Sequence, residues 1–183
     1  MASSTVIRKN TAYPAEPEAE LNPPSLNQSQ AEPMLHSAQN RCFGCGQANP
    51  TGLRLKFLVT NDGSILCDAT IAASFEGHPG YAHGGIIATL LDETMSKAVR
   101  ARGLTAMTRH MEINYLRPVP SSAPLRLEGR VLRNEGRKHW TEARIHNAAG
   151  DVLAHSKGLF IEVSRDQQSL KAIRAVEDDL IAT

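Results

Sequence analysis

Aromatic side chains are scarce: they make up 4% of the 183 residues, with one tryptophan among them. A chain so poor in rings has little with which to stack bases, the usual basis of single-stranded nucleic-acid binding. No sign of charge dominates either. The formal net charge is +1, so no broad field draws the chain to nucleic acid or to an anionic membrane. No apolar run approaches the ~20 residues that a membrane-spanning helix needs. The first residues lack the apolar centre of a signal peptide, and Glu16, Glu18 and Glu20 argue against an organelle transit peptide. A cytoplasmic protein without nucleic-acid or membrane partners is the resulting expectation. Cysteine is also sparse. Three, with no export signal, favour free thiols over a disulfide framework.

With 41% hydrophobic and 21% charged residues, the chain can bury one good core and has length to spare. Residues 1–38 are rich in Pro, Glu, Ser, Asn and Gln and read as a disordered or loosely docked tail. Cys42-Phe43-Gly44-Cys45-Gly46 opens a turn-rich lead-in to the domain. Cys42 and Cys45 have the spacing of half a zinc site. A full site needs about four ligands, and no second Cys-x-x-Cys follows. His36, Cys67 and His78 could be recruited, but their spacing does not require it, so the expectation is a packed thiol turn without metal.

Alternation in 53–59 and 64–71 around Asn61-Asp62-Gly63 predicts a hairpin. A Gly- and Pro-punctuated loop follows at 74–80. The stretch from Gly84 to Val99 then switches to helical spacing. Ile86, Ile87, Leu90, Leu91, Met95, Ala98 and Val99 form a wide apolar stripe, with Thr89, Asp92 and Ser96 on one flank. Arg100, Arg102 and Gly103 mark its end. Beyond Gly103 the pattern returns to period two in 108–116, 124–133, 138–146 and 152–163. Residues 165–183 suggest a short amphipathic tail helix. The expected class is α+β, one domain over 39–164 with an antiparallel sheet packed on one long helix.

Three motifs, in order, carry a resemblance over about residues 41–163. They are Cys42-Phe43-Gly44-Cys45-Gly46 with Asn49-Pro50-x-Gly52-Leu53, then Gly80-x-x-His83-Gly84-Gly85 with Asp92 nine residues after the histidine, then Thr108 with Asn114-Tyr115-Leu116-Arg117-Pro118. The combination resembles the hotdog-fold acyl-CoA thioesterases, specifically their phenylacetate-degradation-type (PaaI-like) branch. The resemblance implies a curved antiparallel sheet around a central helix, assembled as a homodimer or homotetramer. It implies hydrolysis of an acyl-CoA to a carboxylic acid and free CoA, with no cofactor. Some relatives carry an asparagine six residues before the histidine; Gly77 stands there in this sequence, with His78 beside it.

Thioester hydrolysis needs charge stabilisation at the carbonyl oxygen and either an activated water or a carboxylate nucleophile. A Gly-Gly helix entry offers unpaired N–H groups and the positive end of the helix dipole to an approaching oxygen. Gly85 is the expected donor, with Gly84 shaping the turn. Asp92, among apolar neighbours where a carboxylate is costly, is the expected general base or nucleophile, and Thr108 its hydrogen-bonding partner. Glu93, on the neighbouring face, reads as a solvated or salt-bridged surface carboxylate. His83 could hold the loop or touch the substrate carbonyl, and His78 could help to bind substrate. Arg109, Arg117, Arg133, Arg137 and Lys138 could meet the phosphates of CoA. Gly85 and Asp92 are seven residues apart, ~10 Å along a helix axis, so a site using both is expected to be shared between two chains. A non-catalytic acyl-CoA-binding module is the alternative reading, and a dehydratase acting on acyl-carrier thioesters a weaker one.

Overall fold

The computed structural model describes residues 31–164. Over them run β1 (Glu32–Pro33), β2 (Leu58–Val59), β3 (Ile65–Thr70), a 3-10 turn at Ala73–Phe75, β4 (Glu76–His78), β5 (Tyr81–Ala82), α1 (Gly84–Arg100), β6 (Thr105–Tyr115), β7 (Pro124–Glu135), β8 (Lys138–Asn147) and β9 (Val152–Ser164). Seven strands make one sheet in the order β1-β2-β3-β7-β8-β9-β6, and β4 pairs with β5 in a small separate hairpin. Every pairing in the large sheet is antiparallel. The expected α+β class, one helix wrapped by an antiparallel sheet, is the architecture found.

α1 forms where the sequence places it. His83 is its N-cap, and Lys97 and Arg100 stand in its last turn, where they complement the dipole. Gly103 takes φ of +74° just beyond the end, a conformation that glycine adopts without a Cβ clash. The helix lies across β7, β8, β6 and β9. Leu90, Leu91, Met95 and Ala98 are fully buried against Leu127, Ile145, Ala154 and Phe160 in one continuous core. Contact is closest at two sheet glycines. A Cβ on Gly129 would come within 2.6 Å of Thr94 Cγ2, and one on Gly158 within 2.9 Å of Met95 Sδ. Packing at this density leaves no slack for an added methyl group.

One expectation changes and another gains detail. The strand foreseen over 53–59 shrinks to Leu58–Val59. Its first half bonds elsewhere: Leu53 N–H donates to the Phe43 carbonyl and Leu55 N–H to that of Gly44, so the cysteine turn takes the bonds a partner strand would have used. Arg54, at φ +52°, breaks the extended run. Of the tail expected over 1–38 to be disordered or loosely docked, residues 31–38 are described, and they touch the domain. β1 pairs with β2, Met34 N–H donates to the Phe57 carbonyl at 2.8 Å, and the Met34 side chain packs on the core. Residues 1–30 and 165–183, the expected tail helix among them, lie outside the described residues.

Candidate active site

The helix entry is built by the loop before it. His83 N–H donates to the Phe75 carbonyl and Ala82 N–H to that of Val119, both at 2.9 Å. His83 is extended (φ −61°, ψ 141°), and its Nδ1 accepts the Gly85 N–H at 2.9 Å. The Ile86 and Ile87 N–H groups both donate to the His83 carbonyl. That leaves Gly84, the first residue of α1, as the entry residue whose N–H meets no acceptor among the described residues. The sequence pointed to Gly85 as the free donor. His83 occupies that N–H, because a residue at the N-cap position is well placed to bond the second amide of the helix. So His83 is a cap here, one of the two roles foreseen for it.

Tyr115, at the end of β6, reaches the same spot. Its hydroxyl donates to the Gly84 carbonyl at 3.2 Å. The sequence marked Tyr115 only as part of a motif; the contact assigns it to steadying the helix entry. Gly77 also gains a reason. A Cβ there would approach His83 Cα and Cδ2 at 3.1–3.2 Å, so the histidine packs against the space that a side chain at 77 would need. His78 is exposed on β4, paired with Tyr81, and its side chain makes no hydrogen bond or ion pair among the described residues.

Asp92 lies two turns into α1, half-buried with Thr89 and Ser96. Thr108 Oγ1 donates to its Oδ1 at 2.7 Å, the partner expected from the sequence. Burial raises the Asp92 pKa above the ordinary carboxylate value; the Thr108 hydrogen bond opposes the rise, Glu93 adds to it and Lys97 opposes it. A carboxylate held in this way is a stronger base than one in water. Thr108 reaches Asp92 because β6 is irregular. Thr108 pairs with Phe160 and His110 with Leu159, which leaves Arg109 as an extra residue. Met111, Ile113 and Tyr115 face the helix, so strict alternation would put Thr108 on the other face with His110. The bulge at Arg109 reverses the phase and turns Thr108 inward.

Glu93 departs from expectation. It is 8% exposed rather than a surface group, with Lys97 Nζ 2.6 Å from its Oε1 and the lysine equally buried. Burial alone would raise its pKa; Lys97 and the nearby thiols hold it below the usual value instead. Cys42, Cys45 and Cys67 are free thiols. Burial and Glu93 push Cys45 up to about 12, and burial does the same to Cys67, so neither is a thiolate nucleophile near neutral pH.

Of the candidate phosphate contacts, three are engaged. Arg117 pairs with Asp151 at 3.0 Å, Arg133 lies 3.8 Å over the Trp140 ring, and Arg137 donates to the Glu162 carbonyl. Arg109, exposed at the bulge, and Lys138 have no such partner among the described residues. A cavity of about 610 Å³ lies between β3, β7 and the β8–β9 turn, lined by Asp68, Arg126 and His146. None of the site residues expected from the sequence borders it.

The family model described as Thioesterase superfamily matches residues 79–154, from the loop before α1 to the start of β9. Residues 79–154 belong to the thioesterase superfamily. An acyl-coenzyme A thioesterase of Xenopus laevis, THEM4, is 32% identical over 89 residues, 48% of this chain and 40% of its own length. The chain thus spans less than half of that curated relative. Among solved structures, a thioesterase superfamily protein, RHA08564, is 32% identical with a TM-score of 0.64 over 67% of this chain and 60% of its own. The E. coli PaaI protein of the phenylacetic acid degradation operon shares the fold at 20% identity, with a TM-score of 0.57 over 61% of this chain and 81% of its own. The fold is the hotdog fold. Among the described residues, no helix is long and apolar enough to cross a membrane.

Proposed function

We propose that this chain hydrolyses acyl-CoA thioesters to a carboxylic acid and free CoA, and that it does so as a homodimer or a homotetramer of such dimers. The observation that carries the reading is the pairing of Thr108 with a half-buried Asp92 on a helix whose first N–H meets no acceptor among the described residues. A module that only bound acyl-CoA would need neither. The name of the THEM4 relative supports the same substrate class.

In this reading the thioester carbonyl oxygen sits at the N-terminus of α1. The Gly84 N–H and the helix dipole stabilise the negative charge that develops as the carbonyl carbon becomes tetrahedral. Asp92 takes the proton of an attacking water, and the tetrahedral intermediate then breaks its C–S bond, expelling a CoA thiolate that recovers that proton. Alternatively Asp92 attacks directly, and the C–S bond breaks to give an anhydride and CoA thiolate. Water then opens the anhydride to two carboxylic acids, one of which protonates the thiolate. Thr108 holds the carboxylate, and its hydroxyl favours the ionised form. Tyr115 and His83 fix the entry turn. Displacement of the His83 ring would release the Gly85 N–H as a second donor, so the ring is a placeholder for the carbonyl oxygen.

Gly84 and Asp92 are eight residues apart on one helix, ~12 Å along its axis. An aspartate side chain cannot span that and also reach a carbon held at Gly84. The Asp92 acting at each Gly84 therefore belongs to a second copy. β6 favours such an assembly: it is a long strand at the edge of the sheet, mostly exposed, and edges of this kind pair with another chain unless blocked. Two-fold pairing gives two equivalent sites. The test is hydrolysis of a panel of acyl-CoAs, from acetyl through long-chain to aryl-acetyl, followed by release of free thiol. Turnover that disappears in Asp92→Asn supports the reading. Tight binding of acyl-CoA without turnover by the wild type would favour the binding module instead.

A further inference from the structure

The cysteine turn and the buried ion pair on α1 converge on one point. Cys42 Sγ, Cys45 Sγ and a Glu93 carboxylate oxygen all lie within 4.8 Å of one another. The turn is pressed directly onto Glu93: a Cβ on Gly44, between the cysteines, would come within 2.7 Å of its carboxyl carbon. The carboxylate has divided duties. Lys97 holds Oε1 at 2.6 Å, which leaves Oε2 facing Cys42 Sγ at 3.5 Å. Asn40 Nδ2 donates to Cys45 Sγ at 3.3 Å, and Asn40 Oδ1 accepts the Cys42 N–H at 2.9 Å.

We propose that Cys42, Cys45 and Glu93 Oε2 bind a soft divalent cation, zinc by chemistry. The distances suit it. A tetrahedral zinc ion with bonds of ~2.3 Å to sulfur and ~2.1 Å to oxygen sets its sulfur and oxygen ligands ~3.6 Å apart, against the 3.5 Å between Cys42 and Glu93. The charges suit it too. Binding releases both thiol protons to solvent, and two thiolates, one carboxylate and the Lys97 ammonium around a dication sum to neutrality. Lys97 and Asn40 then act as outer groups that orient a carboxylate and a thiolate, as metal sites commonly require. The fourth position opens onto a cavity of about 490 Å³ that Cys42, Cys45, Lys97 and His36 line. His36 Nε2, buried with no hydrogen-bond partner among the described residues, lines the same cavity, and a water held there completes the set. The expectation of a metal-free thiol turn weighed only cysteine and histidine ligands. The third comes from the helix, some fifty residues on, and clips the lead-in segment to α1.

The test uses the full chain, free of any metal-binding tag, grown with added zinc and passed through gel filtration. Elemental analysis should return about one zinc per chain. Cys42→Ser and Cys45→Ser should each lower it at least ten-fold. Cys42 is only half-buried, so its variant keeps the fold by circular dichroism. In chelator-treated protein, added Co²⁺ should give sulfur-to-cobalt charge-transfer absorption in the wild type and much less in Cys42→Ser. Metal-free wild type with no such band on cobalt addition overturns the proposal. So does zinc content unaffected by the serine substitutions, or a Cys42–Cys45 disulfide in protein as isolated.

Discussion

Gly84→Pro is the sharpest probe of the proposed site, because the local geometry makes it nearly silent for folding. Gly84 is the first helical residue, where proline is well tolerated and the lost N–H has no partner within the helix. The residue before a proline must be extended, and His83 already is, at φ −61° and ψ 141°. A Cβ at position 84 meets only Tyr115 Cε1, at 4.0 Å. The one chemical change is the loss of a donor. If that donor faces the oxyanion, turnover should fall by about 10²–10³-fold, the usual cost of removing such a group. Gly84→Ala adds the same Cβ but keeps the N–H, and should lose far less. The pair is measured by free-thiol release from the best acyl-CoA of the panel, with circular dichroism as the check on folding. The proline chain then serves in a second experiment. Refolded at random with Asp92→Ala, half of the dimers are mixed, and each mixed dimer carries one site with an intact Gly84 and an intact Asp92 from opposite chains. Activity should return to about a quarter of wild type, as two-fold symmetry requires. Equal losses for the proline and alanine variants would remove Gly84 from the chemistry. No recovery in proven mixed dimers would place each site within one chain.

Other expectations follow from the same contacts. Asp92→Asn should lose about 10²–10⁴-fold in turnover yet unfold at higher temperature near neutral pH. Burial raises the Asp92 pKa in the fold, so the wild type loses stability as pH climbs through that range; the amide does not, and the gap should close in acid. Melting curves at several pH values read this, and an unchanged gap would count against the assignment. Thr108→Val should slow hydrolysis roughly 10-fold or more, the worth of one hydrogen bond to a charged group, and shift the acid limb of the pH–rate profile upward. Lys97→Met should destabilise metal-free protein by about 3–5 kcal/mol by leaving Glu93 buried without its partner, seen as a lower urea midpoint. Deleting residues 1–35, harmless if they were a loose tail, removes β1 and Met34 from the sheet and should lower the melting temperature by several degrees.

Much of this was legible in the sequence because periodicity reports burial. α1 reads from its apolar stripe, and the long strands from alternation. Asp92 stood out as a carboxylate among apolar residues, and Thr108 by its place in a motif. What escaped notice had local causes. Glu93 and Lys97, four residues apart, look like any exposed helical pair; only the cysteine turn folded over them makes the pair interior. That the Gly85 N–H is capped in this structure escaped notice because a histidine ring competes for the amide, and a side-chain cap leaves no periodic trace. The short β2 was overcalled because alternation in 53–59 arises from contact with the cysteine turn rather than from a strand ladder.

The bulge at Arg109 gives β6 two reading frames. Up to Thr108, even-numbered residues look toward the helix; from Met111 onward, odd-numbered ones do. The first frame aims Thr108 at Asp92, and the second aims Tyr115 at the helix entry. The two cannot be merged. Deleting Arg109 would give a smooth strand, a change that usually favours a sheet, but it would turn either the Thr108 side or the Met111, Ile113 and Tyr115 side outward. The spare residue is therefore a phase shifter, and a more regular strand would forfeit either the Thr108–Asp92 contact or the Tyr115–Gly84 contact.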